Sequence, residues 1–311
     1  MTLSNNKRVQ IVGVPIDLGS NPLGVKMGAS ALRSAGLEDA LRYNNIEFTD
    51  NGDIQVKNEI RDDRNVMINE IARISNELCE IVEASIRKEY IPVILGGDHS
   101  ASIGSIAGAA KSVKNLGLLW LDCHPDVNTP QSSMTGNVHG MTVAISLGTG
   151  YPVLVNCGDF SPKLQPQNIC MLGTKDIDSG ERKYIFENKI KMFTIFDIVK
   201  YGIVHIMNMA FEEIFKDCDG IHLSFDVDVL DPLIAPGTGI ASKGGLNYRE
   251  IAYIMNYIGH LNIVRSIDII EINPLRDVRN QTSELAIELL LSALGGSYGD
   301  YERHYMNDFR A

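Results

Sequence analysis

Short runs of consecutive apolar residues recur along the chain, and each run is followed by a polar or glycine-rich loop. The runs are rich in Val, Ile and Leu, which is typical of β-strands that are buried on both faces of a parallel sheet. The pattern predicts strands at 8–15, 90–99, 116–124, 167–174, 220–228 and 263–272.

Helical periodicity fills the intervals between these runs. Apolar residues three and four positions apart connect Ile68 to Ile86 and predict an amphipathic helix of about five turns. Two more helices are predicted at 248–257 and 283–294. Alternating strands and helices predict an α/β fold, in which a mostly parallel central β-sheet is flanked by helices in a single three-layer domain, 1–311. The polar, aromatic segment 297–311 is predicted to be either a disordered end or an arm that contacts another subunit.

Composition and charge exclude several classes of function. The chain has 311 residues, of which 44% are apolar, and its formal net charge is −11 with a pI of about 5.1. Because binding to phosphates requires a basic surface, neither a nucleic acid nor a membrane is an expected partner. The sequence contains no stretch typical of a signal peptide, and no apolar run reaches the roughly 18 residues of a transmembrane helix. Five scattered cysteines without a CxxC pair predict reduced thiols, so a cytoplasmic protein is expected.

Acidic and histidine residues follow four of the predicted strands. Ligands of an open parallel sheet bind at the carboxyl ends of its strands, so these residues are expected to meet in one place. They occur in the segments Gly96-Gly97-Asp98-His99-Ser100, Asp122-Cys123-His124-Pro125-Asp126, Asp226-Val227-Asp228 and Glu271-Ile272-Asn273-Pro274.

The spacing within two of these segments favours a shared site. In an extended chain alternate side chains point the same way, so Asp122, His124 and Asp126 should share one direction. The same spacing applies to Asp226 and Asp228. A single Asp at a strand end is often a helix cap or a turn former. The combination of DxHxD, DxD and GGDHS is instead what a two-metal site needs.

Two divalent cations would balance the charge of the four clustered carboxylates, which would otherwise repel one another. His99 and His124 complete the set of candidate ligands. Oxygen ligands with some imidazole and no thiolate suit Mn²⁺ better than Zn²⁺. Cys123 is offset by one residue from two of the ligands, so we expect it to face the opposite side as a buried core thiol. His222 lies further down its strand and is predicted to be a hydrogen-bonded core histidine.

The motifs GGDHS (96–100), DCHPD (122–126), SFDVDVLDP (224–232) and EINP (271–274) together resemble those of the ureohydrolase family, which contains arginases, agmatinases and related hydrolases. The resemblance extends from the first strand to about Leu294 and is closest to bacterial-type arginases. Cys123 stands where the family usually has Ala. The resemblance implies an arginase/deacetylase-like fold and two Mn²⁺ per chain. The implied reaction is hydrolysis of L-arginine to L-ornithine and urea, by attack of a metal-bridging hydroxide on the guanidinium carbon.

The resemblance also implies roles for individual residues. One ion would be held by His99, Asp122, Asp126 and Asp226, and the other by His124, Asp122, Asp226 and Asp228. Asp126 would also orient the hydroxide, Glu271 would bind the guanidinium group, and His139 would carry a proton to the departing amine. The substrate α-carboxylate would be held by Asn128, Ser133, Thr135 and Asn137, and the α-amino group by Asp178 and Glu181.

Other expectations depend on the same resemblance. A homo-oligomer, either a trimer or a hexamer, is expected to have Arg249 and Glu250 near a subunit contact. Ile240 replaces a Thr that many members carry near the guanidinium group. Two alternatives stay open: an agmatinase or other guanidino hydrolase, and a non-catalytic, metal-binding regulatory homologue.

Overall fold

The strands form one parallel sheet. The structure is a computed structural model that describes residues 7–20, 23–57 and 62–296, so the predicted tail at 297–311 lies outside the described residues. Within those ranges the sheet has eight strands. They are β1 (Arg8–Val14), β2 (Glu47–Asp53), β3 (Ile91–Gly96), β4 (Leu116–Leu121), β5 (Ile169–Thr174), β6 (Lys191–Thr194), β7 (Gly220–Asp226) and β8 (Val264–Ile270).

The strand order places the predicted site residues side by side. The order is β2-β1-β3-β8-β7-β4-β5-β6, and every pair of neighbours is parallel. The strands that precede His99, Glu271, Asp226 and Asp122 are therefore four consecutive members of the sheet. Because their carboxyl ends share one edge, the residues that follow them meet there.

The two edge strands, β2 and β6, escaped the sequence analysis. Side chains of β2 alternate between exposed and half-buried, and β6 has only four residues, of which Phe193 alone is buried. An edge strand is covered less than a central one, so neither segment contains the continuous apolar run that identified the other six.

Helices cover both faces of the sheet and confirm the three-layer prediction. The α-helices are α1 (Gly28–Ser34), α2 (Leu37–Tyr43), α3 (Arg64–Arg87), α4 (Ser102–Ser112), α5 (Thr142–Ser146), α6 (Pro152–Val155), α7 (Ser179–Asn188), α8 (Ile195–Tyr201), α9 (Ile203–Met209), α10 (Tyr248–Leu261) and α11 (Gln281–Ala293). Short 3-10 helices lie at Val25–Met27, His99–Ala101, His139–Met141, Cys157–Asp159, Pro166–Asn168 and Val227–Val229, and a π-helix at Ala210–Ile214.

Alternate residues of the strands divide the core in two. One apolar cluster joins the sheet to α1, α2, α10 and α11 and includes Val9 and Ile11, whereas the other joins it to α3, α4 and α5 and includes Val12 and Val14. Helix α3 matches the periodicity predicted from the sequence and is capped by Asp63, whose side chain accepts hydrogen bonds from two backbone amides of the first turn. Among the described helices, none combines the length and the apolar character needed to cross a bilayer.

Candidate metal and active site

A cavity of about 380 Å³ opens at the carboxyl ends of the central strands. Acidic and histidine side chains form its base, and the loops after β4 and β5 form much of its wall. It is lined by His124, Asp126, Asn128, His139, Gly140, Asp176, Ile177, Asp178, Glu181, Asp226, Asp228, Ile240 and Glu271.

His99 lies among three carboxylates at the base of this cavity. Its Nδ1 is 3.0 Å from Asp122 Oδ2 and 3.3 Å from both Asp126 Oδ2 and Asp226 Oδ2. All four residues are buried. Burial alone would lower the pKa of His99, but the three nearby carboxylates outweigh that effect and raise the pKa well above its usual value.

The opposite side of the His99 ring is fixed by the sheet. The ring stacks on Trp120 of β4, with ring centroids 3.9 Å apart and planes 7° from parallel. His99 Nε2 forms a 2.8 Å hydrogen bond with Ser224 Oγ of β7. These contacts leave Nδ1 directed at the carboxylates, which is the orientation a metal ligand requires.

His124 forms a second group with Asp228 and Asp122. Its Nδ1 is 3.1 Å from Asp228 Oδ2 and 3.4 Å from Asp122 Oδ1. Asp122 therefore presents one oxygen to each histidine, since its Oδ2 is the atom close to His99. A carboxylate that faces two groups in this way fits the role of a bridge between two ions.

The chemistry of the cluster fits divalent cations. His99 Nδ1 and Asp122 Oδ2 are buried and make no hydrogen bond within the described chain. Burial, followed by repulsion from Asp228 and Asp122, raises the pKa of Asp226 well above its usual value. Burial and repulsion from Asp122 raise the pKa of Asp228 to about 6. Cations would satisfy the unpartnered atoms and remove the repulsion between the carboxylates.

The segment 122–126 bends, whereas its spacing predicted an extended chain. The residues after Leu121 leave the strand conformation, and Asp126 has a φ of 50°, so the segment 122–126 is not extended. The predicted orientation of Cys123 is therefore wrong. Its thiol is buried as expected, but Sγ lies 3.3 Å from His124 Nδ1, among the candidate ligand atoms rather than on the opposite side.

His139 and Glu271 form a pair beside the candidate metal ligands. Glu271 Oε1 lies 3.1 Å from His139 Nδ1 and accepts a 3.1 Å hydrogen bond from the His99 backbone amide. Burial alone would lower the pKa of His139, but its hydrogen bond to Glu271 and the charges of Glu271, Asp126 and Asp98 raise it to about 9. The geometry thus pairs an imidazole with a raised pKa and a carboxylate at the cavity wall.

Three predicted substrate contacts also line the cavity. Asn128 Nδ2 donates a 2.8 Å hydrogen bond to Asp178 Oδ2. Asp178 and Glu181 form the capping box that begins α7, with their side chains and backbone amides bonded reciprocally. Burial and the charge of Asp126 raise the pKa of Glu181 to about 8. Asp176 and Ile177, in the loop after β5, also line the cavity and were not singled out from sequence.

The remaining predicted contacts lie outside the cavity lining. Ser133, Thr135 and Asn137 follow Asn128 in one loop, where Ser133 Oγ accepts a hydrogen bond from the Gly136 amide and Thr135 Oγ1 accepts one from the Asn137 amide. Their contact with a substrate stays a prediction.

Ile240 and His222, the other two residues discussed from the sequence, lie at the cavity rim and in the core. Ile240 is at the cavity rim, with 39% of its surface exposed. His222 is a fully buried core histidine, as predicted, with hydrogen bonds of 2.6 Å to Ser266 Oγ and 3.0 Å to Asp268 Oδ2.

Arg249 and Glu250, the residues expected near a subunit contact, begin α10. The backbone amides of both donate to Asn247 Oδ1, and Glu250 Oε2 accepts from the Asn247 amide. Glu250 thereby caps the helix, and Arg249 is exposed. Their part in a subunit contact stays a prediction.

Comparison with known proteins gives one consistent result. A model of the Arginase family matches residues 7–295. The chain is 39% identical over 294 residues to an arginase of Bacillus caldovelox, an alignment that covers 93% of this chain and 98% of that protein.

Solved structures agree with the sequence match. The native structure of Bacillus caldovelox arginase at pH 5.6 is 38% identical with a TM-score of 0.90, and the match covers 94% of this chain and all of that one. The Entamoeba histolytica arginase, solved in complex with L-ornithine, is 30% identical with a TM-score of 0.84, and the match covers 93% of this chain and 98% of that one.

Proposed function

This chain belongs to the arginase family of hydrolases, and we propose that it converts L-arginine and water to L-ornithine and urea with two divalent metal ions, Mn²⁺ in the first instance. One observation carries the proposal. Two histidine–carboxylate groups share Asp122 at a cavity that is also lined by polar residues suited to an amino acid. The relatives named above are arginases, and the one from Entamoeba histolytica was solved with L-ornithine, the product that this reaction would release.

The metal positions follow from the two groups. One ion would be held by His99, Asp122, Asp126 and Asp226, and the other by His124, Asp122, Asp226 and Asp228. The ligand set is rich in carboxylate oxygen and contains two imidazoles, which suits Mn²⁺. When bound, the ions would lower the pKa of a water molecule and supply it as the nucleophile.

The chain's own residues would position the substrate and move protons. Glu271, buried at the cavity wall, offers a carboxylate that matches a guanidinium group in shape and charge. Asp126 faces the cavity beside His99 and would accept a hydrogen bond from the attacking water. His139, held by Glu271 and protonated near neutral pH, would give its proton to the departing amine.

Polar residues of the cavity and of the loop after Asn128 would recognise the amino-acid end of the substrate. Asn128 is a neutral hydrogen-bonding group suited to the α-carboxylate, with Ser133, Thr135 and Asn137 in the loop that follows. Asp178 and Glu181 are acids suited to the α-amino group.

Several copies of the chain would assemble into a trimer or hexamer, with Arg249 and Glu250 near the contact.

The decisive assay compares L-arginine with agmatine, which lacks the α-carboxylate. Protein stripped of metal and reloaded with Mn²⁺ should contain two ions per chain, release urea and prefer L-arginine by at least about 10²-fold in kcat/KM, because a site built to bind a polar group rejects an analogue without it. Asn128→Ala should lower kcat/KM for L-arginine about tenfold or more and leave agmatine nearly unchanged.

Three outcomes would contradict the proposal. Equal turnover of the two substrates would favour the broader guanidino hydrolase. Tight metal binding without urea release would favour a non-catalytic homologue. An equal loss on both substrates in Asn128→Ala would remove Asn128 from carboxylate recognition.

A further inference from the structure

We propose that Cys123 is a ligand of the ion held by His124, and that its sulfur makes this position favour Co²⁺ or Zn²⁺ over Mn²⁺ more strongly than an alanine would. The inference rests on the proposed two-metal site but assigns a residue beyond its ligands. It also separates the two positions chemically, one bound by oxygen and imidazole and the other by oxygen, imidazole and sulfur.

The distances bring the thiol close to the other ligand atoms of this position, with Sγ also 3.7 Å from His124 Nε2. Cys123 Sγ is 3.3 Å from His124 Nδ1, which is 3.1 Å from Asp228 Oδ2 and 3.4 Å from Asp122 Oδ1. A tetrahedral ion with bonds of about 2.05 Å to nitrogen or oxygen and about 2.3 Å to sulfur holds its ligand atoms roughly 3.3–3.6 Å apart. Ligand atoms of all four residues lie within 4.8 Å of one another.

The backbone fixes the thiol in this place. The Cys123 amide donates a 3.2 Å hydrogen bond to Asp228 Oδ1, and the His124 amide donates a 2.6 Å bond to Asp122 Oδ1. Trp120 Nε1 donates to the His124 carbonyl. These bonds bend the chain directly after β4 and turn the Cys123 side chain toward the acids instead of into the core. Cys123 is fully buried, so the sulfur has little freedom to move away from the cluster.

A second observation concerns the carboxylate that the two positions share. Asp122 Oδ2, the oxygen that faces His99, is buried without a hydrogen-bond partner among the described residues, whereas Oδ1 faces His124. The group around His99 contains no sulfur atom within the described chain, since its close neighbours are Asp122, Asp126 and Asp226. Only the His124 position thus gains a thiol.

Binding of the ion by Cys123 requires the thiol to lose its proton. As the sulfur–metal bond forms, the S–H bond of Cys123 breaks and its proton passes to a water molecule, so the site gains one negative charge and no atom is oxidised or reduced. A thiolate is a soft ligand that favours Co²⁺ and Zn²⁺ over Mn²⁺. Removing it should therefore change metal preference more than overall folding.

The test uses the full chain, stripped of metal and reloaded with Co²⁺. Sulfur bound to Co²⁺ gives a charge-transfer absorption band in the near ultraviolet. We expect the band in the unmodified protein and in Cys170→Ala, a buried cysteine of β5, but not in Cys123→Ala or Cys123→Ser. In competition with equal Mn²⁺, Cys123→Ala should lower the ratio of bound Co²⁺ to bound Mn²⁺ at one of the two positions by at least about tenfold.

The outcomes separate this inference from the proposed function. Two bound Co²⁺ without the band in the unmodified protein would overturn the role of Cys123 and leave the two-metal site standing. A band that persists in Cys123→Ala would also overturn it. Failure to bind Co²⁺ or Mn²⁺ at all would overturn the two-metal site and the inference with it. Because the band is read in the unmodified protein first, a variant that does not fold cannot hide the answer.

Discussion

Replacing Asp268 by Asn perturbs a buried polar cluster that Ser102 and Ser224 connect to His99, one of the candidate metal ligands. Asp268 Oδ2 accepts hydrogen bonds of 2.6 Å from both Ser102 Oγ and Ser105 Oγ, and lies 3.0 Å from His222 Nε2. Burial alone would raise the pKa of Asp268, but His222 and the two hydroxyl groups outweigh it and lower the pKa. The carboxylate is therefore ionised at neutral pH, inside the core of the protein.

The cost of the substitution follows from these contacts. A hydrogen bond to a charged group is worth roughly 1 kcal/mol more than a neutral one, so weakening three of them costs about 3 kcal/mol. The new amide also places a donor where Asp268 Oδ1 has no partner within the described chain, which costs about 1–3 kcal/mol more. The neutral amide avoids the desolvation penalty of the buried carboxylate, which offsets part of this loss and leaves a net destabilisation of about 4 kcal/mol. With an unfolding entropy of about 0.65 kcal/mol/K for a chain of this length, the melting temperature should fall by about 6 °C.

Thermal melting with constant metal concentration measures this effect. The matched control is Asp39→Asn, whose side chain is 89% exposed and which should melt within about 1 °C of the unmodified protein. A group with a lowered folded pKa stabilises the protein above its unfolded pKa, about 3.9, and loses that effect as the pH falls through the folded value. The difference in melting temperature between the unmodified protein and Asp268→Asn should thus persist down to about pH 4 and shrink below it. A melting temperature for Asp268→Asn within about 1 °C of the unmodified protein would refute the reasoning.

Two other changes test the cavity. Ile240→Thr should leave metal content unchanged and alter kcat/KM by no more than about tenfold, since one neutral hydrogen bond is worth about 0.5–1.5 kcal/mol; collapse of activity with metal and melting temperature intact would contradict this. Mn²⁺ at about 100 times its Kd should stabilise the stripped protein by about 2.7 kcal/mol per ion, measured by calorimetry. That gain should shrink as the pH falls, because protons compete with the ions for His99, whose pKa is raised, and for Asp228; a gain independent of pH would argue against histidine and carboxylate ligands.

The central sheet was predictable from sequence because its strands are covered on both faces. Strands β3 and β4 are almost wholly apolar, and β7 and β8 are buried almost throughout and rich in Ile, Leu, Phe and Val. Because the carboxyl ends of parallel strands share one edge of the sheet, the polar residues that follow them meet there. Edge strands β2 and β6 lack that signal because one side faces solvent or the strand is short. The pattern of apolar residues therefore locates the site better than it locates the borders of the sheet.

The local geometry of the site was less predictable. The spacing predicted that Asp122, His124 and Asp126 share one direction because the chain is extended. In the structure the chain bends after β4, and Asp126 has a positive φ. Such a bend depends on hydrogen bonds to a distant segment, for example the bond from the Cys123 amide to Asp228. The periodicity of a sequence carries no information about such long-range bonds. The same bend turns Cys123 toward the ligands, the opposite of the prediction.

The most direct test of the two-metal account measures bound metal and urea release together in Asp226→Asn. Asp226 Oδ2 lies 3.3 Å from His99 Nδ1, and the substitution removes one negative charge from a cluster whose carboxylates balance the ions. Asp231→Asn is the matched control, because Asp231 accepts backbone hydrogen bonds from Leu233 and Gly244 in a nearby turn and is outside the cavity. The account predicts fewer than two ions per chain and a loss of several orders of magnitude in urea release for Asp226→Asn, with both near normal in the control. Two ions per chain with near-normal turnover in Asp226→Asn would contradict it.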